Sequence, residues 1–211
     1  MGNPDVGEVH FKGRPTSISR LPCAENEARM VGEKLGVEPL LGQQATKQAV
    51  LQAMNSVALI HIAAHGDAER GEIALAPTFR TPNGIPQEGL YLLTMSDISK
   101  VQLRAKLVVL SCCHSALGQT KAEGAVAIAR AFLGSGARSV LVALWALDDK
   151  ATEQLMAHFY NHLVAGKSAC ESVHEAMKCM RSEGYDVNQW APFILIGDDV
   201  IFDFRKEGKI N

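Results

Sequence analysis

Val57-Ala58-Leu59-Ile60-His61-Ile62-Ala63-Ala64-His65-Gly66 and Leu107-Val108-Val109-Leu110-Ser111-Cys112-Cys113-His114-Ser115 decide the fold. Both are apolar runs rich in β-branched residues that stop at small or polar residues, as fully buried parallel strands do. Parallel strands point the same way, so both exits open on one edge of the sheet. That is the edge where α/β folds bind ligands and do chemistry. The first run delivers an imidazole there and the second a thiol, which makes a candidate Cys-His dyad.

Such a dyad has a physical logic. A free thiol is only slightly ionised at neutral pH, and an adjacent imidazole can take its proton and hold the thiolate as an ion pair. After attack on a carbonyl carbon the same imidazolium can protonate the departing amine. His61 and His65 are four residues apart and share a face of the strand, because side chains alternate with period two. Only His65 stands at the exit, so His61 reads as a core histidine. Gly66 lets the backbone approach a substrate closely, and its N–H is a candidate oxyanion donor beside that of the cysteine.

Working outward, strands and helices alternate as they do when a parallel sheet carries helices on both faces. Residues 22–35 read as a helix ending at Gly36, followed by a short strand near Glu38 to Leu41. Thr46 reads as the N-cap of the next helix. The Gly- and Pro-rich stretch from Asp67 to Pro86, with strand signals at Ile73 to Ala76 and Gly89 to Leu93, fits a hairpin over the active edge. Thr94 or Ser96 starts a short helix, and residues 122–134 form an Ala-rich one. Ser139 to Trp145 is a further buried strand, followed by helices at about 149–165 and 168–182 and a last strand from Phe193 to Ile196. Gly134-Ser135-Gly136 follows a helix and precedes a strand, so it reads as a C-cap and turn rather than a phosphate loop.

Composition sets the class. A chain of 211 residues with 47% hydrophobic and 21% charged residues is globular and fits one domain spanning 1–211. A net charge of −2 gives no electrostatic footprint for nucleic acid. No run is long enough for a membrane span, and the amino terminus has no secretory pattern. Cys23, Cys112, Cys113, Cys170 and Cys179 form an odd set without framework spacing. Free thiols in a reducing, cytoplasmic compartment follow.

Several further phrases accompany the two strands: Gly2-Asn3-Pro4, Glu123-Gly124, Ala129-Arg130-Ala131-Phe132, Gly136-Ala137-Arg138-Ser139-Val140, Leu144-Trp145 with Asp148-Asp149, Gly166-Lys167-Ser168 and Trp190-Ala191-Pro192-Phe193. With His65-Gly66 and Leu110-Ser111-Cys112-Cys113 they resemble the CHAT domain, a caspase-like and separase-like cysteine peptidase domain usually joined to tetratricopeptide repeats. The resemblance runs from Gly2 to about Gly197 and is nearest to large animal repeat proteins. It implies a caspase-like three-layer sandwich, a protein substrate, repeats elsewhere in the parent chain and no cofactor. The family strand usually ends Leu-Ser-Ala-Cys, which makes Cys113 the nucleophile, Cys112 its small buried neighbour and His65 the base. Gly66 and Cys113 would then supply the oxyanion N–H groups.

The sequence also departs from that family. His114-Ser115 follow the cysteine where an acidic or polar residue and a small one are usual, so His114 is a rival base. The family strand that precedes Gly-Asn-Pro has no counterpart before Met1, which reads as a fragment of a longer protein with an open sheet edge. The segments Asp67 to Pro86 and His114 to Lys121 are those expected to move on activation.

Asp148 and Asp149 lie just past a strand, again at the active edge, and one of them suffices as a helix N-cap. Related separase-like peptidases use an acid in this region to receive a basic P1 side chain, so the resemblance implies a substrate pocket with Asp148 or Asp149 at its foot and Trp145 as a wall. His158 with His162, and Cys170 with His174, have a spacing that can chelate zinc, but such pairs also arise on ordinary amphipathic helices and the reading is that no metal is held. The leading function is a cysteine endopeptidase. The alternatives are a catalytically silent CHAT-like interaction module and, more remotely, a metal-stabilised regulatory domain.

Overall fold

The computed structural model describes residues 1–67, 69–79, 84–113, 122–145 and 148–204, and of Cys113 the backbone alone. In chain order the elements are β1 (Gly2–Pro4), β2 (Gly7–Phe11), β3 (Arg14–Ile18), α1 (Pro22–Leu35), β4 (Leu41–Gly42), α2 (Lys47–Met54), β5 (Leu59–Asp67), β6 (Glu72–Ala74), α3 (Glu88–Tyr91), β7 (Leu92–Leu93) and α4 (Met95–Ile98). They continue with β8 (Leu107–Cys113), α5 (Ala122–Gly134), β9 (Ser139–Ala143), α6 (Asp149–Val164), α7 (Ala169–Ser182) and β10 (Phe193–Gly197).

The main sheet has the order β10-β9-β8-β5-β1-β4. Along this path the ladders from β4 through β9 are parallel and β10 runs antiparallel to β9, while β6 joins β5 antiparallel off the path. Strand alternation sorts the core into two layers. Ile60, Ile62 and Ala64 of β5, Val108 and Leu110 of β8, and Val140 and Val142 of β9 pack with Met54 of α2, Ile98 of α4 and Phe132 of α5. Leu107, Val109, Leu141 and Ala143 face the other way, onto Val31 of α1, Phe159 and Tyr160 of α6, and Met180 of α7. This is the expected α/β sandwich, with a mostly parallel sheet between two helical layers.

Local chemistry explains the boundaries. Gly36 closes α1 in the left-handed conformation at φ 68°. The Thr46 hydroxyl accepts from the Ala49 N–H at the start of α2, and Ser168 with Glu171 forms a capping box on α7. Gly136, at φ 111°, makes the turn from α5 to β9; a β-carbon there would sit 2.5 Å from the Leu103 carbonyl oxygen.

Three expectations shift, and one element is new. The strand placed at Glu38 to Leu41 forms at Leu41–Gly42, since Pro39 has no N–H to give to a ladder. The strand placed at Ser139 to Trp145 stops at Ala143, and the Leu144 N–H goes to the Pro192 carbonyl instead. Of Gly89 to Leu93 only Leu92–Leu93 pairs, antiparallel to β6, while Glu88–Tyr91 makes one helical turn. The hairpin is thus real but shorter. The antiparallel β2–β3 hairpin was not expected; Lys12 and Gly13, both at positive φ (50° and 75°), form its turn.

Candidate active site

β5 and β8 are adjacent and parallel, and their register runs without a break from Leu59 opposite Leu107 to His65 opposite Cys113. The strands do not stop short of these residues, as the sequence pattern suggested. Cys113 is the last residue of β8, and β5 continues through Gly66 and Asp67, which pair with Ile73 and Glu72 of β6. The antiparallel hairpin is what extends β5.

His65 is 3% exposed. Its Nε2 lies 2.8 Å from the Ser19 carbonyl oxygen, and a carbonyl only accepts, so Nε2 carries the proton and Nδ1 of the neutral ring is a bare acceptor. Nδ1 is buried and has no hydrogen-bond partner among the described residues. Burial lowers the His65 pKa below 6.5, against the pull of the Ser19 carbonyl and of the Asp149 charge. The imidazole is therefore neutral near pH 7, the state a general base needs.

The two cysteines of the Ser-Cys-Cys triplet differ. Cys112 packs on the α5 side of the sheet, its sulfur 4.0 Å from the Ile62 carbonyl oxygen. Burial raises its thiol pKa to about 12, and such a thiol is inert. Cys113 continues the alternate register positions Leu107, Val109 and Ser111, which lie opposite Leu59, His61 and Ala63, and is itself opposite His65.

Beyond β9 the sequence-predicted pocket residues separate by role. Asp148 is the N-cap of α6, its Oδ1 accepting from the N–H groups of Lys150 and Ala151, each at 3.1 Å. Asp149 opens the helix, half-buried, and its charge reaches His65. Trp145, 39% exposed, donates from Nε1 to the Asn188 carbonyl at 3.0 Å. Gly66 is buried in the β5–β6 ladder at the same edge as His65.

Sequence reasoning missed three residues here. Ser19, in the link between β3 and α1, acts through its carbonyl, which no side-chain motif could announce. Cys23, one residue into α1, and Glu153, one turn into α6, meet at this edge. Burial first, then Glu153, Asp149 and Asp148, raise the Cys23 thiol pKa. Pro22-Cys23 at a helix start was the only signal for it.

His61 is a core residue as read. Its Nε2 lies 3.1 Å from Glu27 Oε1 and its Nδ1 3.1 Å from the Tyr160 hydroxyl, with both acidic and imidazole side chains almost fully buried. Of the other histidines, His158 pairs with Glu183 at 2.9 Å. Among the described residues no three metal-ligating side chains cluster. His114 and the rest of the segment to Lys121 lie outside the described residues, as does part of the stretch from Asp67 to Pro86.

The family model of the CHAT domain matches residues 1–198. The chain belongs to the CHAT-domain family. Curated relatives of this CHAT domain include tetratricopeptide repeat protein 28 of Mus musculus, 36% identical, and of Homo sapiens, 34% identical, each match covering 85% of the chain. The match spans only 9% and 8% of those relatives' lengths. Among solved structures the CHAT domain resembles the Arg-specific cysteine proteinase gingipain R, with a TM-score of 0.56 at 9% identity, over 93% of this chain and 45% of that one. The likeness shows a shared fold, the caspase-like sandwich of a mostly parallel sheet between helical layers. Among the described residues no helix is long and apolar enough to cross a membrane.

Proposed function

We propose that this CHAT domain is a cysteine endopeptidase whose catalytic dyad is His65 and Cys113. The observation that carries the reading is the register, which makes the two residues ladder partners at the carboxyl-terminal edge of adjacent parallel strands. The Ser19-bound tautomer supports it by leaving His65 Nδ1 as the basic atom. In this reading Nδ1 takes the Cys113 thiol proton, and the thiolate sulfur bonds to the scissile carbonyl carbon. Charge on the carbonyl oxygen is met by the Gly66 and Cys113 N–H groups. The tetrahedral adduct collapses as the imidazolium protonates the leaving amine, and water, deprotonated by His65, then releases the acyl group as a carboxylate.

The substrate is a protein, presented by tetratricopeptide repeats of a longer parent chain in the cytoplasm. Asp149 is the carboxylate that receives a basic P1 side chain, with Trp145 beside it and Asp148 in support through the helix cap. A proteome digest with wild type and Cys113→Ala, reading new amino termini, tests the proposal. New termini that share a basic P1 residue and vanish with Cys113→Ala are expected. Identical termini in the two digests would leave the silent interaction module as the function.

A further inference from the structure

Gly2-Asn3-Pro4 carries no chemistry of its own, yet Asn3 is 2% exposed and holds a positive φ of 48°. A buried polar side chain on a left-handed backbone needs a reason. Its reason lies in its partners. Asn3 Oδ1 accepts from the Leu21 N–H at 2.7 Å in a buried bond, and Asn3 Nδ2 donates to Glu25 Oε2 at 2.9 Å. Glu25 is held in turn by Arg20 at 3.0 Å and Arg29 at 2.9 Å.

Leu21 ends the link that offers the Ser19 carbonyl to His65. That link begins at the end of β3, so it is held by the hairpin on one side and by Asn3 on the other. β1 itself is fixed to the strand that bears His65, because Gly2 is the ladder partner of Ala63. Leu21 and Ala24 also pack on Ala63. The fit is close: a β-carbon on Gly2 would lie 2.3 Å from the Ala24 carbonyl oxygen and 2.5 Å from Ala28 Cβ. β1, the link and β5 thus form a closed triangle with Asn3 at one corner and His65 at another.

We infer that Asn3 is the positioning residue of the active-site histidine: by holding the Leu21 N–H it fixes the Ser19 carbonyl on His65 Nε2 and so selects the tautomer that leaves Nδ1 as base. The catalytic consequence rests on the proposed peptidase function, whereas the tautomer lock does not. Without the clamp the Ser19 carbonyl can withdraw, and the ring then exchanges between tautomers, one of which carries its proton on the wrong nitrogen.

Asn3→Gly is the deciding variant, since glycine tolerates φ 48° and removes only the side-chain bonds. Imidazole nitrogen shifts of His65 at a pH where the ring is neutral should show a protonated Nε2 and a bare Nδ1 in wild type. In Asn3→Gly they should average between the two tautomers, and in Asn3→Asp combined with Glu25→Gln, which keeps the Oδ1 acceptor for Leu21 and gives the new carboxylate an amide donor in place of the Glu25 carboxylate, they should return to the wild-type pattern. On a cleaved peptide, Asn3→Gly should lower kcat on the order of a hundredfold with KM little changed, the size of effect that an ångström of misplacement produces.

A fixed Nε2–H tautomer in folded Asn3→Gly would overturn the inference, as would averaging in wild type. An inactive wild type with the tautomer lock intact would sink the peptidase reading and leave the inference standing. If Asn3→Gly does not fold, wild type still decides through temperature. Exchange protection of the Leu21 amide and the fixed tautomer must then be lost together below global unfolding, and separate loss refutes the clamp.

Discussion

His65 and Cys113 are the last ladder partners of two parallel strands, with β5 and β8 in register over seven consecutive pairs. An unbroken ladder of buried strands is rigid, so the relative height of the two residues is set by backbone hydrogen bonds rather than by loops. Cys113→Ala and His65→Ala should each abolish peptide cleavage, and the double variant should be no worse than either, as groups acting as one chemical unit behave. Steady-state kinetics on a peptide taken from the proteome digest would measure it. Additive losses would refute the dyad.

Cys112 provides the register control. Cys112→Ala removes a small buried group, so turnover should persist while stability falls by about 1 kcal/mol. In the native protein iodoacetamide at mildly acidic pH should modify Cys113 first and leave Cys112, whose thiol is held at about 12, unmodified. Peptide mapping by mass spectrometry reads both sites. Activity lost with Cys112→Ala and kept with Cys113→Ala would shift the register by one residue.

The two acids at the head of α6 should separate on substitution. Asp148→Asn retains a cap for Lys150 and Ala151 and should cost less than about 1 kcal/mol without changing P1 choice. Asp149→Asn should erode a preference for Arg or Lys at P1 by roughly a hundredfold in kcat/KM, because a buried cation loses its partner. A P1 series on the three proteins distinguishes them, and an unchanged ranking in Asp149→Asn would end the pocket assignment.

Acid should destabilise the domain. Burial lowers the pKa of His61 and of His65 from 6.5 in the folded state, so in the window below 6.5 the unfolded chain binds more protons and stability falls as pH falls. Their contribution is complete above 6.5 and lost as pH drops through the folded values. Urea unfolding between pH 8 and 5 should show this decline. His61→Gln should make it shallower, by removing one of the rings whose pKa is lowered, beside His65 and His162, whatever it does to stability at pH 8. A slope unchanged by His61→Gln would mean that His61 is not among the groups responsible.

The turn after α5 is a packing test independent of the site. Gly136→Ala forces a β-carbon to 2.5 Å from the Leu103 carbonyl oxygen at a φ of 111°, so it should lower stability by about 1–3 kcal/mol and leave the P1 ranking untouched.

The sequence by itself determined the central parallel strands, the layers and the edge. Apolar runs such as 57–64 and 107–110 can bury both faces only in a sheet covered by helices, and caps such as Thr46, Ser168 and Gly36 act on their own neighbours, so their effect is local and readable. His65 was legible because it ends such a run, and His61 as core because it does not. What tertiary structure alone decided is where backbone groups and distant side chains meet. The β2–β3 hairpin went unread because its pattern is short and interrupted by Pro15. The Ser19 carbonyl on His65, the Asn3 side chain on the Leu21 N–H, and the Asp149 charge that reaches His65 span 46, 18 and over 80 residues of chain. A carbonyl has no residue type, and a contact between residues so far apart exists only once the sheet has brought their elements together.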